Sequence, residues 1–330
     1  MLSNLKTMKK YTIHFLLLLT LALAVSCEDD IDLNADYKNI TIVYGLLDPV
    51  ADTNFIRVNK AFLGGDAYAN ILIPDCTQYS QELDVRITAF LGNSQQGDPI
   101  VFSRMNRYIY YSLAPLNDDF RYKLEIDVEG NKITSETGIV VSFGMSKPPR
   151  ASWTPPQFST EVNYRRGFNQ EIVWDIEDNA QKYEAQIEFV FNEVLTDNTV
   201  RPRSIIWLTA TRNLQPGYEM TVTYSNDLFY TVIQNTTIYN DPAEEDKVVK
   251  RVPHRVIYSV SAAAPDLATY IDANQPIQTV VEYRPDYTNV VNGYGIFSSR
   301  TRDTLHKYLH RDTRKNLSEL PGTKFEFIPQ

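Results

Sequence analysis

Three stretches of this chain alternate apolar and polar side chains without a break, and that spacing leaves few choices of fold. Leu83, Val85, Ile87 and Ala89 share one face against Asp84, Arg86 and Thr88. Tyr122, Leu124, Ile126 and Val128 repeat the pattern against Arg121, Lys123, Glu125 and Asp127. Tyr183, Ala185, Ile187, Phe189 and Phe191 do so against Lys182, Glu184, Gln186 and Glu188. Successive side chains of a strand point to opposite faces, so these are strands with one dry and one wet face, as in an antiparallel sandwich. The 21 Tyr and 15 Phe suit such a fold, because aromatic residues favour the pleated surface. Further strands are expected over 40–46, 55–62, 108–113, 132–137, 139–143, 204–211, 219–224, 255–261 and 279–283. Glu129, Gly130 and Asn131 have the composition of a tight hairpin turn.

Prolines divide the chain. Pro148, Pro149, Pro155 and Pro156 flank Trp153, and prolines at that density break pairing and stiffen a connector. The expected organisation is a first β domain over 37–147 and a second over 148–299. In the second, Glu171, Ile172, Val173 and Trp174, followed by Ala180 to Tyr183, resemble the opening strands of a fibronectin type III sandwich. Trp174 would lie in its core and Tyr183 would open a central strand. Residues 66–81 read as an irregular insertion. Two short helices are expected. Pro265–Ala273 begins with Pro and Asp, which suit a first turn, and spaces Leu267, Tyr270 and Ile271 helically. Residues 304–320 place Leu305, Tyr308 and Leu309 on one side before Pro321 and Gly322, giving a helical tail over 300–330.

The N-terminus carries an address. Lys9 and Lys10 precede an apolar run over 15–25, too short for the roughly 20 residues of a bilayer span. Leu23, Ala24, Val25, Ser26 and Cys27 look like a bacterial lipobox, in which the cysteine is acylated and becomes the first mature residue. Residues 1–26 are thus expected to be a lipoprotein signal peptide, with cleavage by an ordinary signal peptidase to a soluble secreted protein as the alternative. Several acyl chains, each methylene contributing about 0.8 kcal/mol when buried, make a stable anchor. Glu28, Asp29 and Asp30 open an acidic tether over 27–36. They resemble the surface-export signal of Bacteroidota lipoproteins, which places the protein on the outer membrane facing the exterior; a periplasm-facing lipoprotein is the alternative.

Charge narrows the partners. Removing Lys6, Lys9 and Lys10 with the signal leaves 32 − 3 = 29 basic against 41 acidic side chains, or 29 − 41 = −12. Nucleic acid and anionic lipid need a basic footprint, so neither is an expected partner. Cys76 is the only cysteine besides Cys27, so an acylated Cys27 leaves no internal disulfide and burial alone must hold the fold. No catalytic residue, metal site or cofactor is expected. His306 and His310 stand four apart but enclose Lys-Tyr-Leu, without a glutamate base or an evident third ligand, and read as surface residues. There is no Gly-x-Ser-x-Gly elbow and no phosphate-cradling glycine loop. Tyr108, Tyr110 and Tyr111 are more suggestive: alternation sends Tyr108 and Tyr110 one way and Tyr111 the other, so one set is core and the other a candidate aromatic binding surface. Asp303, Thr304 and Leu305 match the short O-glycosylation motif of Bacteroidota, with Thr304 as acceptor.

The whole layout resembles the uncharacterised surface lipoproteins of Bacteroidota that often accompany TonB-dependent transporters. The likeness is carried by residues 26–33, 41–47, 55–63 and 289–298, the last including Gly293 and Gly295, which suit a tight turn or a close backbone approach. The resemblance implies an Ig-like N-terminal sandwich, a second β domain and no assigned activity. The expected function is a lipid-anchored, non-enzymatic accessory that binds a ligand or docks on an outer-membrane β-barrel, through an exposed aromatic patch. A carbohydrate-binding or glycan-processing lipoprotein and a structural subunit of an outer-membrane assembly or secretion complex are the alternatives.

Overall fold

The computed structural model describes residues 40–61, 73, 77–150, 160–275 and 286–327. The signal peptide, Cys27, Glu28, Asp29 and Asp30, Cys76, Trp153 and the strand expected over 279–283 lie outside these residues. The fold is mainly β. Strands β1 (Thr41–Leu47), β2 (Asn54–Lys60), β3 (Asp84–Leu91), β4 (Ser94–Val101), β5 (Ser103–Arg104), β6 (Ile109–Ser112), β7 (Arg121–Val128) and β8 (Asn131–Gly138) come first. They are followed by β9 (Met145–Lys147), β10 (Glu161–Val162), β11 (Asn169–Asp175), β12 (Lys182–Leu195), β13 (Val200–Asn213), β14 (Glu219–Ser225), β15 (Val248–Ala263) and β16 (Gly293–Leu309). Helices α1 (Asn226–Asn235), α2 (Pro242–Asp246), α3 (Pro265–Ala273) and α4 (Arg311–Ser318) punctuate the second half.

The alternating stretches form β3, β7 and β12, and their apolar rows are buried. Val128 pairs with Asn131 across Glu129 and Gly130, whose φ values of 54° and 84° give the two-residue turn that matches strand twist. Order β13-β12-β15-β16-β1-β2-β6-β5 builds a nine-stranded sheet, with β10 alongside β16. Two smaller sheets, β4-β3-β7-β8 and β14-β11-β9, are layered on it, giving two sandwich-like cores. Val43, Ile56, Ile87, Leu124 and Phe297 belong to the first core; Trp174, Tyr183, Phe189, Tyr258 and Leu309 belong to the second.

One strand serves both cores. From Gly293 to Ser299, β16 pairs in parallel with β1; from Arg300 to Tyr308 it pairs antiparallel with β15. Its odd-numbered residues point inward throughout, giving Phe297 to the first core and Leu309 to the second. Both small sheets therefore cover the same face of the long sheet. The other face, carrying the even-numbered side chains from Tyr294 to Tyr308, has α3 packed on β16 and, beside β2, Thr77, whose carbonyl accepts from Asn59 Nδ2 at 3.4 Å.

This strand corrects several expectations. Residues 300–309 are strand rather than the start of a helical tail, and only Arg311–Ser318 is helical within 304–320. Leu305 and Leu309 fit an alternating row as well as a helical one, and the backbone partner offered by β15 decides between them. The first half of β16 completes the first sandwich, so the two β units do not divide as 37–147 and 148–299. The crossover lies earlier than residue 148, because β9 already pairs with β11. Residues 139–143, expected as a strand, form that crossover. Their polar groups are taken up outside any ladder: Val140 N–H donates to Ser299 Oγ at 3.1 Å, and Asn179 Nδ2 donates to Ile139 O at 3.0 Å.

Gly295 explains how β1 and β16 come together. It has φ +108°, and a Cβ there would lie 2.0 Å from the Val43 carbonyl oxygen. Only a residue without a side chain permits that approach.

Candidate interaction face

The open side of the long sheet changes character along its length. Over the first sandwich, register places Tyr294, Ile42 and Asn59 in one row, and Ile296, Tyr44, Arg57 and Ile109 in the next. Phe55 and Tyr111 are paired one step on. β1 is apolar on both sides: Val43 and Leu47 fill the core while Ile42, Tyr44 and Leu46 face outward. Tyr44, Phe55 and Tyr294 are 42%, 46% and 47% exposed. Large rings held half in water on a rigid sheet supply contact area at low entropic cost.

Helix α3 bounds this patch. Its start is set by Pro265 in the first turn, and Leu267 N–H donates to Ser298 Oγ at 3.2 Å, so the helix lies over the middle of β16. Ile296 and Ser298 are buried. Tyr270 on α3 has its hydroxyl pushed up to about 12, first by burial and then by its hydrogen bond with Tyr44. The hydroxyl stays protonated at neutral pH, beside Tyr44 of β1.

On the far side of Tyr44 lies a concavity of about 520 Å³ lined by Ile42, Tyr44, Arg57, Asn59, Lys60, Thr77, Gln78 and Tyr108. The Arg57 guanidinium sits 5.2 Å from the Tyr108 ring centre, and its Nε donates to Asn59 Oδ1 at 2.6 Å. The Lys60 ammonium lies 5.0 Å from the Tyr79 ring centre. A cation over a ring face is held by the ring quadrupole. The described lining carries two cations, stacking rings and amides, and no carboxylate.

The three tyrosines singled out from sequence are divided differently from the alternation expected. Tyr110 is buried and its hydroxyl accepts from Leu83 N–H at 3.1 Å. Tyr111 faces outward beside Phe55. Tyr108 precedes β6 and leans over Arg57 on the outer side, not with Tyr110, because strand alternation begins only at Ile109. Sequence reasoning passed over Tyr44, Phe55, Arg57 and Tyr294. The signal available was the two-sided apolar character of β1.

Over the second sandwich the same face turns polar. Thr211, Glu184, Ser261 and Arg302 form one row, and Gln186, Ser259 and Thr304 another. Thr304 is exposed there, in mid-strand. His306 also lies on β16, while His310 caps α4, its Nδ1 accepting from Asp312 N–H at 3.2 Å. The two imidazoles therefore sit on different elements. No cluster of three His, Cys, Asp or Glu suited to a metal occurs among the described residues.

The end of the second sandwich holds a buried ionic network. Glu193, fully buried, accepts from Arg251 at 3.1 and 3.0 Å, from Arg203 at 3.3 Å, and from Tyr239. Burial pushes the Glu193 carboxyl up, but hydrogen bonds from Tyr239, Arg251 and Arg203 together outweigh it and hold the group below the usual range. Arg201 adds a further ion pair, its Nε 3.4 Å from Glu193 Oε2, so three guanidiniums and a phenol surround this one carboxylate, as expected of a structural element.

The fold and this face describe a two-sandwich β protein that presents an aromatic, cation-bearing sheet surface. No family model matches the chain, and no curated protein matches it. Among solved structures it is similar to a cytokine receptor complex, at 10% identity over 80% of this chain and 94% of that chain, TM-score 0.22. It is also similar to the FN1–FN3 domains of chicken CNTN1, at 8% identity over 68% of this chain and 60% of that one, TM-score 0.22. A third is the C-terminal globular domain of an oligosaccharyltransferase from Pyrococcus abyssi, at 11% identity over 65% and 45%, TM-score 0.20. At such TM-scores these likenesses carry no argument, and the fold class rests on the strands and registers above.

Proposed function

We propose that this chain is a lipid-anchored, non-enzymatic accessory of the outer membrane that docks onto a β-barrel partner through the outer face of its first sandwich. Acylated Cys27 holds it, and Glu28, Asp29 and Asp30 direct it to the exterior. One observation carries the docking reading: Tyr44, Phe55 and Tyr294 lie half-exposed on one rigid sheet face, with Arg57 among them. Aromatic residues and arginine are the side chains enriched where interfaces gain most of their energy. Position supports the reading too. The chain enters the fold at Thr41, beside Gly293, at the same end of the long sheet as these rings. A segment of roughly 14 residues between Cys27 and β1 reaches at most about 50 Å, which keeps this face near the membrane surface.

The 520 Å³ concavity beside Tyr108 favours carbohydrate as a second occupant, since rings stack on sugars and Asn59 and Arg57 supply hydrogen bonds. Affinity purification from detergent-solubilised envelopes separates the two readings. The docking reading requires a stoichiometric barrel protein with the intact chain and its loss from a Tyr44→Glu, Phe55→Glu variant. Repeated recovery as a monomer, together with retention on a glycan resin lost in Tyr108→Ala, would replace it with the carbohydrate reading. Mass spectrometry of the purified chain must also find acyl chains on Cys27.

A further inference from the structure

We propose that the hollow where the two sandwiches meet, beneath α3, is a binding site for a small amphipathic carboxylate; this is independent of the docking face. The hollow has a volume of about 430 Å³. At about 30 Å³ per non-hydrogen group it holds roughly 14 such groups, the size of a medium-length carboxylic acid. Small-molecule sites are mostly apolar, carry a few well-placed polar groups and favour domain junctions. This hollow has each of those properties.

Its apolar wall comes from both units. Leu46 belongs to β1 of the first sandwich, Ala263 to β15 of the second, and Leu267 and Ile271 hang from α3. Ile271 remains 37% exposed, a large aliphatic side chain left facing the opening. The polar wall is β16. Arg300 and Arg302 stand two residues apart on the same face of the strand, so their side chains leave the sheet roughly 7 Å apart. Both are exposed. Neither has an ion-pair partner within 4 Å among the described residues; Arg302 is steadied only by its Nε donating to Ser261 Oγ at 2.8 Å.

The other charged groups leave these two guanidiniums available. Lys182 is committed to Asp272. Glu184 is separated from Arg302 by Ser261 in the row across the sheet. Asp48 feels both arginines electrostatically, but its Oδ1 is occupied by Val50 N–H at 3.1 Å. Two guanidiniums beside an apolar pocket match a carboxylate, which accepts paired N–H bonds in the plane of the fork, attached to an apolar body. A neutral ligand of the same shape would forgo the charge-assisted pairing and leave both guanidiniums to water.

The test uses the full chain in isolated membranes and a medium-length fatty carboxylate bearing a diazirine, with its methyl ester as the uncharged match. After irradiation, labelled peptides are mapped by mass spectrometry. The carboxylate is expected to label the α3 peptide holding Leu267 and Ile271, saturably and with competition by unlabelled acid. The ester should label it at least tenfold less, and Arg300→Gln with Arg302→Gln should reduce carboxylate labelling to the ester's level. These positions are exposed, so the substitutions leave the cores intact; Phe55→Ala should label like the unaltered chain. Equal labelling by acid and ester, unchanged labelling of the arginine variants, or failure of competition would each overturn the proposal.

Discussion

Arg251 shows how much can depend on one side chain. It is buried, donates to Glu193 and Glu245, and gives a further bond to the Thr323 carbonyl oxygen at 2.9 Å. Replacing it with alanine strands a buried carboxylate, a loss of about 3 kcal/mol. The low end of that class applies because Arg203 and Tyr239 still reach Glu193. A urea titration at pH 7 measures it, and a loss below about 1 kcal/mol would show the network to be dispensable. The pH dependence follows from the same group. The folded Glu193 carboxyl lies below its ordinary value of 4.5, so its stabilisation is present above that pH. It disappears as pH falls through the folded value. Glu193→Gln should flatten the decline in stability below about pH 4.5 relative to the unaltered chain. An unchanged slope would contradict the assignment. Sequence offered one hint of this network, since Glu193 continues the odd-numbered row of Phe189 and Phe191, but its partners Arg203 and Arg251 sit on two other strands and only the fold brings them together.

Strand β16 governs the elements. Its 17 residues span about 56 Å and join both cores. Gly295→Ala would force a Cβ onto the Val43 carbonyl and place alanine at a positive φ, a loss of about 3 kcal/mol or more. Trp174 and Trp207 lie in the second core, far along the strand from Gly295. If β16 couples the two sandwiches, their fluorescence midpoint in denaturant should fall together with that of circular dichroism. A tryptophan transition left unmoved would mean that the sandwiches unfold separately. The strands with one wet face were legible because their alternation is strict: β3, β7 and β12 bury the rows the sequence marked. Helix α3 was legible from Pro265 and its spacing. The end of β16 was not, since Leu305 and Leu309 satisfy two periods at once, Tyr308 fits only the helical one yet faces outward on the strand, and the deciding partner lies more than 40 residues earlier. Nor was the crossover at 139–143, where Ile139 is buried in the first core and Val140 in the second without joining a ladder.

At the level of the whole molecule, one sheet runs through both units, and both small sheets cover the same side of it. Among the described residues its other face is aromatic near the point where the chain enters and polar towards the far end, with α3 over the middle of β16. Sequence marked Tyr108, Tyr110 and Tyr111 as candidates, with Tyr108 and Tyr110 on one face, but not Tyr44, Phe55 or Tyr294, because the face is assembled from β16, β1, β2 and β6, which are up to 250 residues apart. The docking reading makes the aromatic half, and not the polar half, the contact. A photoreactive amino acid placed at Phe55 or Tyr44 in living cells, with Tyr218 as a control that is 92% exposed on the second sandwich, tests this directly. Crosslinks from positions 55 and 44 to one outer-membrane barrel, absent from position 218, are expected. Equal capture from position 218, or none from 55 and 44 with the lipidated chain in place, would contradict it.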